Sequence, residues 1–314
     1  MDKRVVENKE LLCSAQNGLR TTPKTLESKW FYDEAGSALF EQITGLPEYY
    51  PTRTEIAILQ GQTDKLADLV PDDAVLVELG SGASRKTRIL LDQLDNFTSY
   101  VPIDISAEFL RQSAAGLAAD YPAISVEPVV ADFMQDIQLP DSLSERPKVV
   151  FFPGSTIGNL QRDQAVELMA RIRQWSSVKA FVLGIDLVKD PATLIRAYDD
   201  EAGVTAAFNL NLLHRLNRET GSYFDVSKFD HEARWNADYN RIEMHLVSLE
   251  AQTVQLGHDR IRFQKNESIH TENSHKYTEA TFENIAYLGG WSIKAFLTDA
   301  DNQFAVVALV PKGR

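Results

Sequence analysis

The chain has 314 residues, of which 44% are hydrophobic and 25% are charged, and its formal net charge is −13. This composition is typical of a globular protein, and the acidic balance disfavours a nucleic-acid partner, because binding to phosphates needs a basic face. Cys13 is the only cysteine, which excludes an internal disulfide and a thiolate metal cluster. No apolar signal segment or run of membrane length is found, so we expect a soluble cytoplasmic protein.

Two aromatic-rich stretches, at residues 29–40 and 46–55, precede the first predicted core strand. Their rings and prolines predict a folded lid or loop rather than an unstructured tail, with simple packing onto the rest of the protein as the alternative. A helix is expected at residues 54–69, with the hydroxyl groups of Thr52 and Thr54 as its caps.

The strongest local signal is the apolar run at residues 74–79, which is followed by Gly80 and Gly82 and then by a helix-forming segment. The run predicts a strand buried on both faces, and the glycines allow a sharp turn that approaches a ligand at the N-terminus of the helix. Arg85 stands where a dinucleotide fingerprint needs its third glycine, and the pattern is not a P-loop. It therefore predicts another kind of nucleotide site, or a tight turn in an unrelated α/β protein.

Glu78 stands two residues before Gly80. We expect its carboxylate beside the turn, where it would repel a pyrophosphate and favour a cationic or zwitterionic ligand. S-adenosylmethionine, which carries a sulfonium and an ammonium group, fits this requirement better than NAD does.

Strands and helices are predicted to alternate from residue 74 onward, as in a parallel α/β sheet. Polar residues gather where the strands end, and open sheets of this kind bind their ligands there. Asp104 lies 24 residues after Gly80, a spacing that suits a ribose contact, and it could also cap a helix at 106–118. Asp132 and Phe133 suit an adenine ring. The strands are expected at 74–79, 98–103, 124–130, 149–152 and 180–185.

The composition changes after residue 190, where a helix at 193–201 and then antiparallel strands predict a second, smaller lobe. The chain ends with a helix and a strand pair, which would complete a seven-stranded methyltransferase sheet. We therefore predict a methyltransferase domain at 56–189 and 280–314 and a substrate-binding lobe at 1–55 and 190–279. The strands of the lobe are expected at 241–249, 252–256, 260–264 and 268–277, and the final elements at 279–288, 291–298 and 304–310.

The sequence contains no H-E-x-x-H motif and no G-x-S-x-G nucleophile elbow, so metal catalysis and acyl transfer are not expected. Methyl transfer to an amine needs the nitrogen in line with the departing sulfur, and it needs that nitrogen neutral. Nearby carboxylates would keep the nitrogen protonated, so we expect neutral groups beside it and an acidic group further away. The neutral candidates are Tyr32, Tyr49, Asn159 and Tyr198, and the acidic one is Glu272.

Five blocks of sequence carry a resemblance to a known family. They are Phe31-Tyr32-Asp33 with Gly36-Ser37, then LPEYYPTRTE at 46–55, ELGSG at 78–82, GSTIGNL at 154–160 and TENSHKY at 271–277. In this order they resemble the S-adenosylmethionine-dependent histidine Nα-methyltransferases of ergothioneine biosynthesis. The second and fourth blocks are specific to that family, whereas the glycine turn is shared by many methyltransferases.

The resemblance implies a class I methyltransferase fold, a Rossmann-like α/β architecture with a seven-stranded sheet and a second, smaller α+β lobe. It also implies the roles of individual residues, with Tyr32 and Asn159 as the catalytic ones. S-adenosyl-L-methionine, the co-substrate, would be bound by Tyr32, Gly80, Lys86, Asp104, Asp132 and Phe133. The substrate's carboxylate and amino group would be held by Tyr49, Gly154, Asn159 and Tyr198, and its imidazole by Glu272 and Ser274 with Met244 packed against it.

The expected function is Nα-trimethylation of L-histidine, through its mono- and dimethyl forms, to the betaine hercynine. The protein is expected to act as a cytoplasmic monomer that needs no metal and binds neither membrane nor nucleic acid. The alternatives are methylation of another amino acid, such as tryptophan or a thiohistidine, and a protein that binds S-adenosylmethionine without turnover. A nicotinamide dehydrogenase is disfavoured by Arg85 and Glu78.

Overall fold

The computed structural model describes residues 8–313. These residues form two compact units: unit 1 comprises the described residues up to Tyr50 together with Lys189–Ser274, and unit 2 comprises Pro51–Val188 together with the described residues from His275 onward. The predicted boundaries, at residues 55, 189 and 279, lie one to five residues further along the chain. No helix within residues 8–313 is long and apolar enough to cross a membrane.

The regular elements of the described chain alternate between helix and strand over much of its length. The helices are α1 (Lys9–Leu19), α2 (Glu34–Thr44), α3 (Tyr50–Gln62), α4 (Arg85–Gln93), α5 (Ala107–Asp120), α6 (Arg162–Arg173), α7 (Pro191–Tyr198), α8 (Val204–Glu219) and α9 (Glu279–Leu288). The strands are β1 (Lys24–Thr25), β2 (Ala74–Leu79), β3 (Phe97–Asp104), β4 (Ser125–Val126), β5 (Val129–Val130), β6 (Lys148–Phe152), β7 (Val178–Asp186), β8 (Phe229–Asn236), β9 (Arg241–Ser248), β10 (Gln252–Leu256), β11 (Asp259–Phe263), β12 (Ser268–His275), β13 (Trp291–Thr298) and β14 (Phe304–Pro311).

The main sheet of unit 2 has the strand order β13-β14-β7-β6-β2-β3-β4, and the short β5 also pairs with β3. Strands β2, β3, β6 and β7 run parallel, whereas β14 is antiparallel to both of its neighbours. Every residue of β2 is buried, which accounts for its nearly unbroken apolar sequence. With β5 the sheet has eight strands, and its mostly parallel α/β order confirms the predicted fold class.

The third predicted strand, at 124–130, is wrong as a continuous element. It consists of two short pieces, β4 and β5, which pair with successive parts of β3. Pro128 lies between them and has no N–H to donate, so the ladder is interrupted at this residue.

The helix predicted at 54–69 begins earlier, at Tyr50, and its α-helical part ends at Gln62. Pro51 lies in the first turn, where a missing N–H costs nothing because that group has no partner within the helix. Thr52 and Thr54 therefore lie inside the helix and do not cap it. The segment continues as a 3-10 helix over Thr63–Leu69.

The sheet of unit 1 has the strand order β1-β12-β9-β8, and β10 and β11 form a separate antiparallel hairpin. The four strands predicted in this lobe are present as β9 to β12, and β8 lies outside them. Helix α8 packs against β8 and β9. Its buried face repeats every four residues through Phe208, Leu212 and Leu216, which is the spacing of one face of an α-helix.

A buried ion pair closes the carboxyl end of β7 in unit 2. The Nζ atom of Lys276 lies 2.8 Å from Oδ2 of Asp186, and both side chains are fully buried. The backbone of Asp186 is held as well, because its N–H donates to Oγ of Ser155 at 2.9 Å and its carbonyl accepts from the N–H of Tyr277 at 2.9 Å. The ion pair therefore ties the residues after β12 to the end of β7, and the Ser155 hydrogen bond ties that strand end to the loop after β6.

We expect Lys276→Met to lower the free energy of unfolding by about 3–5 kcal/mol, because Asp186 would lose the cation that neutralises its buried charge. Urea denaturation followed by circular dichroism measures the change. The matched control is Arg111→Met, which removes an exposed ion pair with Glu108 in the same unit and should have little effect. Equal losses in the two variants would contradict this assignment.

Candidate active site

The turn after β2 is held by the carboxylate of Asp104. Gly80 and Gly82 adopt positive φ angles of 65° and 48°, a conformation that favours glycine. The N–H of Gly82 donates to Oδ2 of Asp104 at 3.1 Å, and the N–H of Ser106 donates to Oδ1 at 2.9 Å. Burial raises the pKa of Asp104, and these backbone hydrogen bonds oppose that shift. Asp104 therefore shapes the turn as well as lying at the strand end where a ribose contact was predicted.

Phe133 lies close to the same turn, and Asp132 precedes it in the chain. A Cβ atom on Gly80 would be 3.8 Å from Cε1 of Phe133, so the ring stands beside the glycine. Oδ1 of Asp132 accepts from the N–H of Met134 at 2.8 Å, which fixes the loop after β5. Val130, the partner of Asp104 in the sheet, is 52% exposed, and Ile105, the next residue in the chain, is 41% exposed. Carboxylate acceptors beside an aromatic ring and exposed apolar side chains suit the hydroxyl and amino donors and the flat ring of a nucleoside.

Lys86 and Gly154, predicted for cofactor and substrate respectively, are brought together by Glu55. The Nζ atom of Lys86 lies 2.5 Å from Oε2 of Glu55, whose side chain is fully buried. The N–H of Gly154 donates to Oε2 and Oε1 of the same carboxylate at 2.9 and 3.1 Å. A Cβ atom on Gly184 would lie 2.1 Å from Oε1, so β7 admits Glu55 only because it has glycine there.

Glu55 is a residue that the sequence reasoning missed as part of the site. It ends the 46–55 block, which was matched to the family without a role for this residue. A carboxylate that follows Thr52-Arg53-Thr54 gave no local signal that it would be buried against Lys86.

Asn159 lies in a short 3-10 helix, Thr156–Asn159, in the loop after β6. It is half-buried. A Cβ atom on Gly158 would lie 2.8 Å from the carbonyl oxygen of His275, so the loop packs closely against that backbone. The glycine thus allows the loop that carries Asn159 to approach the end of β12.

Four predicted site residues of unit 1 lie along one line of contacts. The ring of Tyr32 meets that of Phe40 at a centroid distance of 5.8 Å, and Phe40 meets Tyr49 at 6.3 Å. Tyr49 in turn packs edge-on against Tyr198 at 6.1 Å. The phenol oxygen of Tyr198 shares a hydrogen bond of 2.7 Å with Oγ of Ser274. The structure therefore brings Tyr32, Tyr49, Tyr198 and Ser274 into one aromatic and hydroxyl cluster.

Met244 and Glu272, the remaining predicted residues, lie on neighbouring strands. Met244 is 2% exposed and belongs to the apolar core of unit 1. Glu272 lies on β12, two residues from Ser274, and is partly buried. Its backbone carbonyl accepts a hydrogen bond from Nε2 of His270 at 2.9 Å.

A family model described as a histidine-specific, SAM-dependent methyltransferase matches residues 11–311. The chain belongs to this family. Among its relatives, the histidine N-alpha-methyltransferase of Mycolicibacterium smegmatis is 44% identical over 266 residues, which cover 83% of this chain and 82% of that protein.

Two further similarities concern a fungal relative and a solved structure. Ergothioneine biosynthesis protein 1 of Neurospora crassa is 32% identical to this histidine-specific methyltransferase over 206 residues, which cover 63% of this chain and 23% of that protein. The structure of the CcbJ methyltransferase from Streptomyces caelestis has a TM-score of 0.47 at 16% identity, over 82% of this chain and 89% of that chain.

The expectation for Glu78 in this methyltransferase is wrong. Its side chain is 1% exposed, and Oε2 accepts hydrogen bonds from Oγ1 of Thr87 at 2.5 Å and from the phenol of Tyr100. Burial raises the pKa of Glu78 to about 8, against the effect of these two hydrogen bonds and of the charge on Lys86. Glu78 is therefore largely uncharged at neutral pH, and it stabilises the strand–turn–helix unit instead of attracting a cation.

A group of three possible metal ligands lies elsewhere in the methyltransferase, on the sheet of unit 1. Within residues 8–313, ligand atoms of Glu243, His245 and His270 lie within 4.8 Å of one another. Burial lowers the pKa of His245 to about 4. Burial alone would raise the pKa of Glu243, but hydrogen bonds from Arg241 and other donors outweigh that effect and lower it to about 2. The two imidazole rings are stacked at 19°, so their in-plane lone pairs do not converge on one point. Arg241 already neutralises Glu243 at 2.6 Å. We assign the group no catalytic role.

Glu78→Gln is expected to remove a pH dependence of stability. The pKa of Glu78 is about 8 in the folded protein and about 4.5 in the unfolded chain. Its contribution to the free energy of unfolding is therefore full below pH 4.5 and is lost as the pH rises towards 8. The free energy of unfolding of the variant should therefore rise relative to the wild type by about 2–4 kcal/mol between pH 5 and pH 8.

Urea denaturation at intervals from pH 5 to pH 8 measures this difference. Glu283→Gln, an exposed substitution on α9, serves as the control and should leave the two curves parallel. Parallel curves for Glu78→Gln as well would show that Glu78 is ionised in the folded protein.

Proposed function

We propose that the protein transfers three methyl groups from S-adenosylmethionine to the α-nitrogen of L-histidine and so forms hercynine for ergothioneine biosynthesis. The observation that carries this proposal is the Tyr198–Ser274 hydrogen bond on the strand that also bears Glu272, in a chain of the histidine-specific family. A hydroxyl and a carboxylate two residues apart can pair with the two nitrogens of an imidazole. The identity to a histidine N-alpha-methyltransferase supports the same substrate.

The cofactor residues of the proposal are Gly80, Lys86, Asp104, Asp132 and Phe133, and the family resemblance adds Tyr32. Asp104 would bind the ribose hydroxyls, Asp132 and Phe133 the adenine, and Lys86 the carboxylate of the methionine part, while Gly80 leaves the backbone open to close approach. When bound, S-adenosylmethionine supplies a methyl group made electrophilic by its sulfonium. The remaining steps depend on how the protein presents histidine.

The histidine site of the proposal places neutral groups around the reacting nitrogen. Tyr49, Tyr198, Asn159 and the backbone of Gly154 would hold the amino and carboxylate groups, whereas Glu272 and Ser274 would hold the imidazole with Met244 beside it. An α-amino group has a pKa of about 8, so it must first release a proton to water. Its lone pair then forms the N–C bond as the C–S bond breaks, and Tyr32 and Asn159 keep the nitrogen in line. Loss of a proton before each round allows three transfers.

The cellular setting is part of the same proposal. We propose that the protein acts in the cytoplasm, as a monomer, without a metal and without a nucleic-acid or membrane partner. The net charge of −13 supports the absence of a nucleic-acid partner, and the single cysteine supports a reducing compartment and the absence of a thiolate metal site.

The direct test is mass spectrometry after incubation with S-adenosylmethionine, an equal mixture of the common amino acids and the N-methylated histidines. A gain of three methyl groups on histidine alone is the expected result. Methylation of tryptophan or another amino acid would show that the substrate is that amino acid and not histidine. No methylation despite bound S-adenosylhomocysteine would identify a protein without turnover.

Glu272→Ala is expected to lower kcat/KM for histidine at least about 100-fold, because the buried imidazole would lose an acceptor for its N–H. The affinity for S-adenosylhomocysteine, measured by calorimetry, should not change. Glu232→Ala removes a carboxylate from β8 of the same sheet, where it pairs with Arg234 at the surface, and should leave both quantities unchanged. An equal loss with Glu232→Ala would point to a general effect on the sheet rather than to imidazole recognition.

A further inference from the structure

A buried line of polar side chains connects α8 to the sheet of unit 1. It consists of His231 on β8, Asn209 on α8 and Thr271 on β12, and we call it the α8 network. Asn209 is fully buried, and the exposed fractions of His231 and Thr271 are 8% and 2%. Polar groups at this depth cost free energy unless they are hydrogen-bonded, and each of these three residues has its partners.

The proton positions in the α8 network follow from its acceptors. The carbonyl of His245 can only accept, so the atom of Asn209 that faces it at 3.1 Å is the amide nitrogen. The same nitrogen lies 2.8 Å from Nδ1 of His231, which must then accept. The proton of a neutral His231 is therefore on Nε2, where it is donated to the carbonyl of Tyr198 at 2.7 Å. The oxygen of Asn209 is left to accept from the hydroxyl of Thr271 at 2.8 Å.

The network joins α7, β9 and β12. It holds α7 through the carbonyl of Tyr198 and β9 through the carbonyl of His245. It also holds β12, because Thr271 belongs to that strand and its hydroxyl lies 3.0 Å from the carbonyl of Met244 on β9. Each of these attachment points is a residue predicted to bind histidine or is the neighbour of one in the chain.

Tyr198 is thereby fixed at both ends. Its carbonyl is bonded to His231, and its phenol shares a hydrogen bond with Ser274. Thr271 fixes the strand one residue before Glu272. The distance between a phenol on α7 and a carboxylate on β12 thus depends on a set of side chains that lie beneath both elements.

We propose that His231, Asn209 and Thr271 are positioning residues, which hold Tyr198, Glu272 and Ser274 at the spacing that histidine requires. This inference rests on the proposed function, because it takes those three residues as the histidine site. The three positioning residues need not touch the substrate. Their loss should weaken histidine binding and leave the cofactor site in unit 2 unchanged, since pre-organised groups bind more tightly than groups that must first be ordered.

Thr271→Val tests the proposal with almost no change of shape. It removes the hydroxyl proton that Asn209 accepts, and we expect KM for histidine to rise about 10-fold, with a smaller change in kcat and a Kd for S-adenosylhomocysteine within about twofold of the wild type. The matched control is Thr220→Val. Thr220 is also fully buried in unit 1, and its hydroxyl bonds the carbonyl of Leu216 at the end of α8 instead of the network.

Thr271→Ser restores the hydroxyl and should return KM for histidine towards the wild-type value. His231→Leu removes both bonds of the imidazole and should also raise KM for histidine, so it provides a second measurement if Thr271→Val does not fold. An unchanged KM in Thr271→Val and His231→Leu, or an equal rise in Thr220→Val, would overturn the proposal. A wild type that does not methylate histidine, with S-adenosylhomocysteine still bound, would instead overturn the proposed function.

Discussion

The constraint that organises unit 2 is the complete burial of β2. A strand with no face in water must bond its backbone to neighbours on both sides, and β3 and β6 do so in parallel. Parallel pairing places the carboxyl ends of these strands at one edge of the sheet. The glycine turn, Asp104 and the loop that begins at Gly154 therefore share an edge because of hydrogen bonding in the sheet, before any ligand contributes.

Much of this edge could be predicted from the sequence because its signals are local. An apolar run followed by two glycines defines a strand and its turn, and an aspartate after the next strand is visible from spacing alone. Glu78 shows the limit of such reasoning. Its position next to the turn was evident, but the direction of its side chain depends on Tyr100 and Thr87, which pack over it in the folded protein.

The residues of the site that could not be predicted act through contacts between distant parts of the chain. Glu55 bonds a glycine 99 residues away, and His231 reaches Tyr198 across 33 residues. Asn209 is a polar residue in a largely apolar helix, and the sequence around it does not show whether its side chain is buried with a partner or exposed to solvent. The tyrosines of unit 1 could be predicted as site residues because neutral phenol groups suit an amine substrate. The residues of the α8 network, which hold the site residues in place, have no reactive chemistry that would indicate their role.

Because Glu55 fits closely against Gly184, the residue that the protein can have at position 184 depends on the residue at position 55, which is 129 residues away. With Glu55 present, no larger residue can enter at 184, because its Cβ would overlap Oε1. Loss of the glutamate alone would not open the position, because a Cβ atom at 184 would also lie 3.0 Å from Cε1 of Phe304 on the neighbouring β14. The bare backbone at this residue of β7 thus accommodates both a carboxylate on a distant helix and a ring on the adjacent strand.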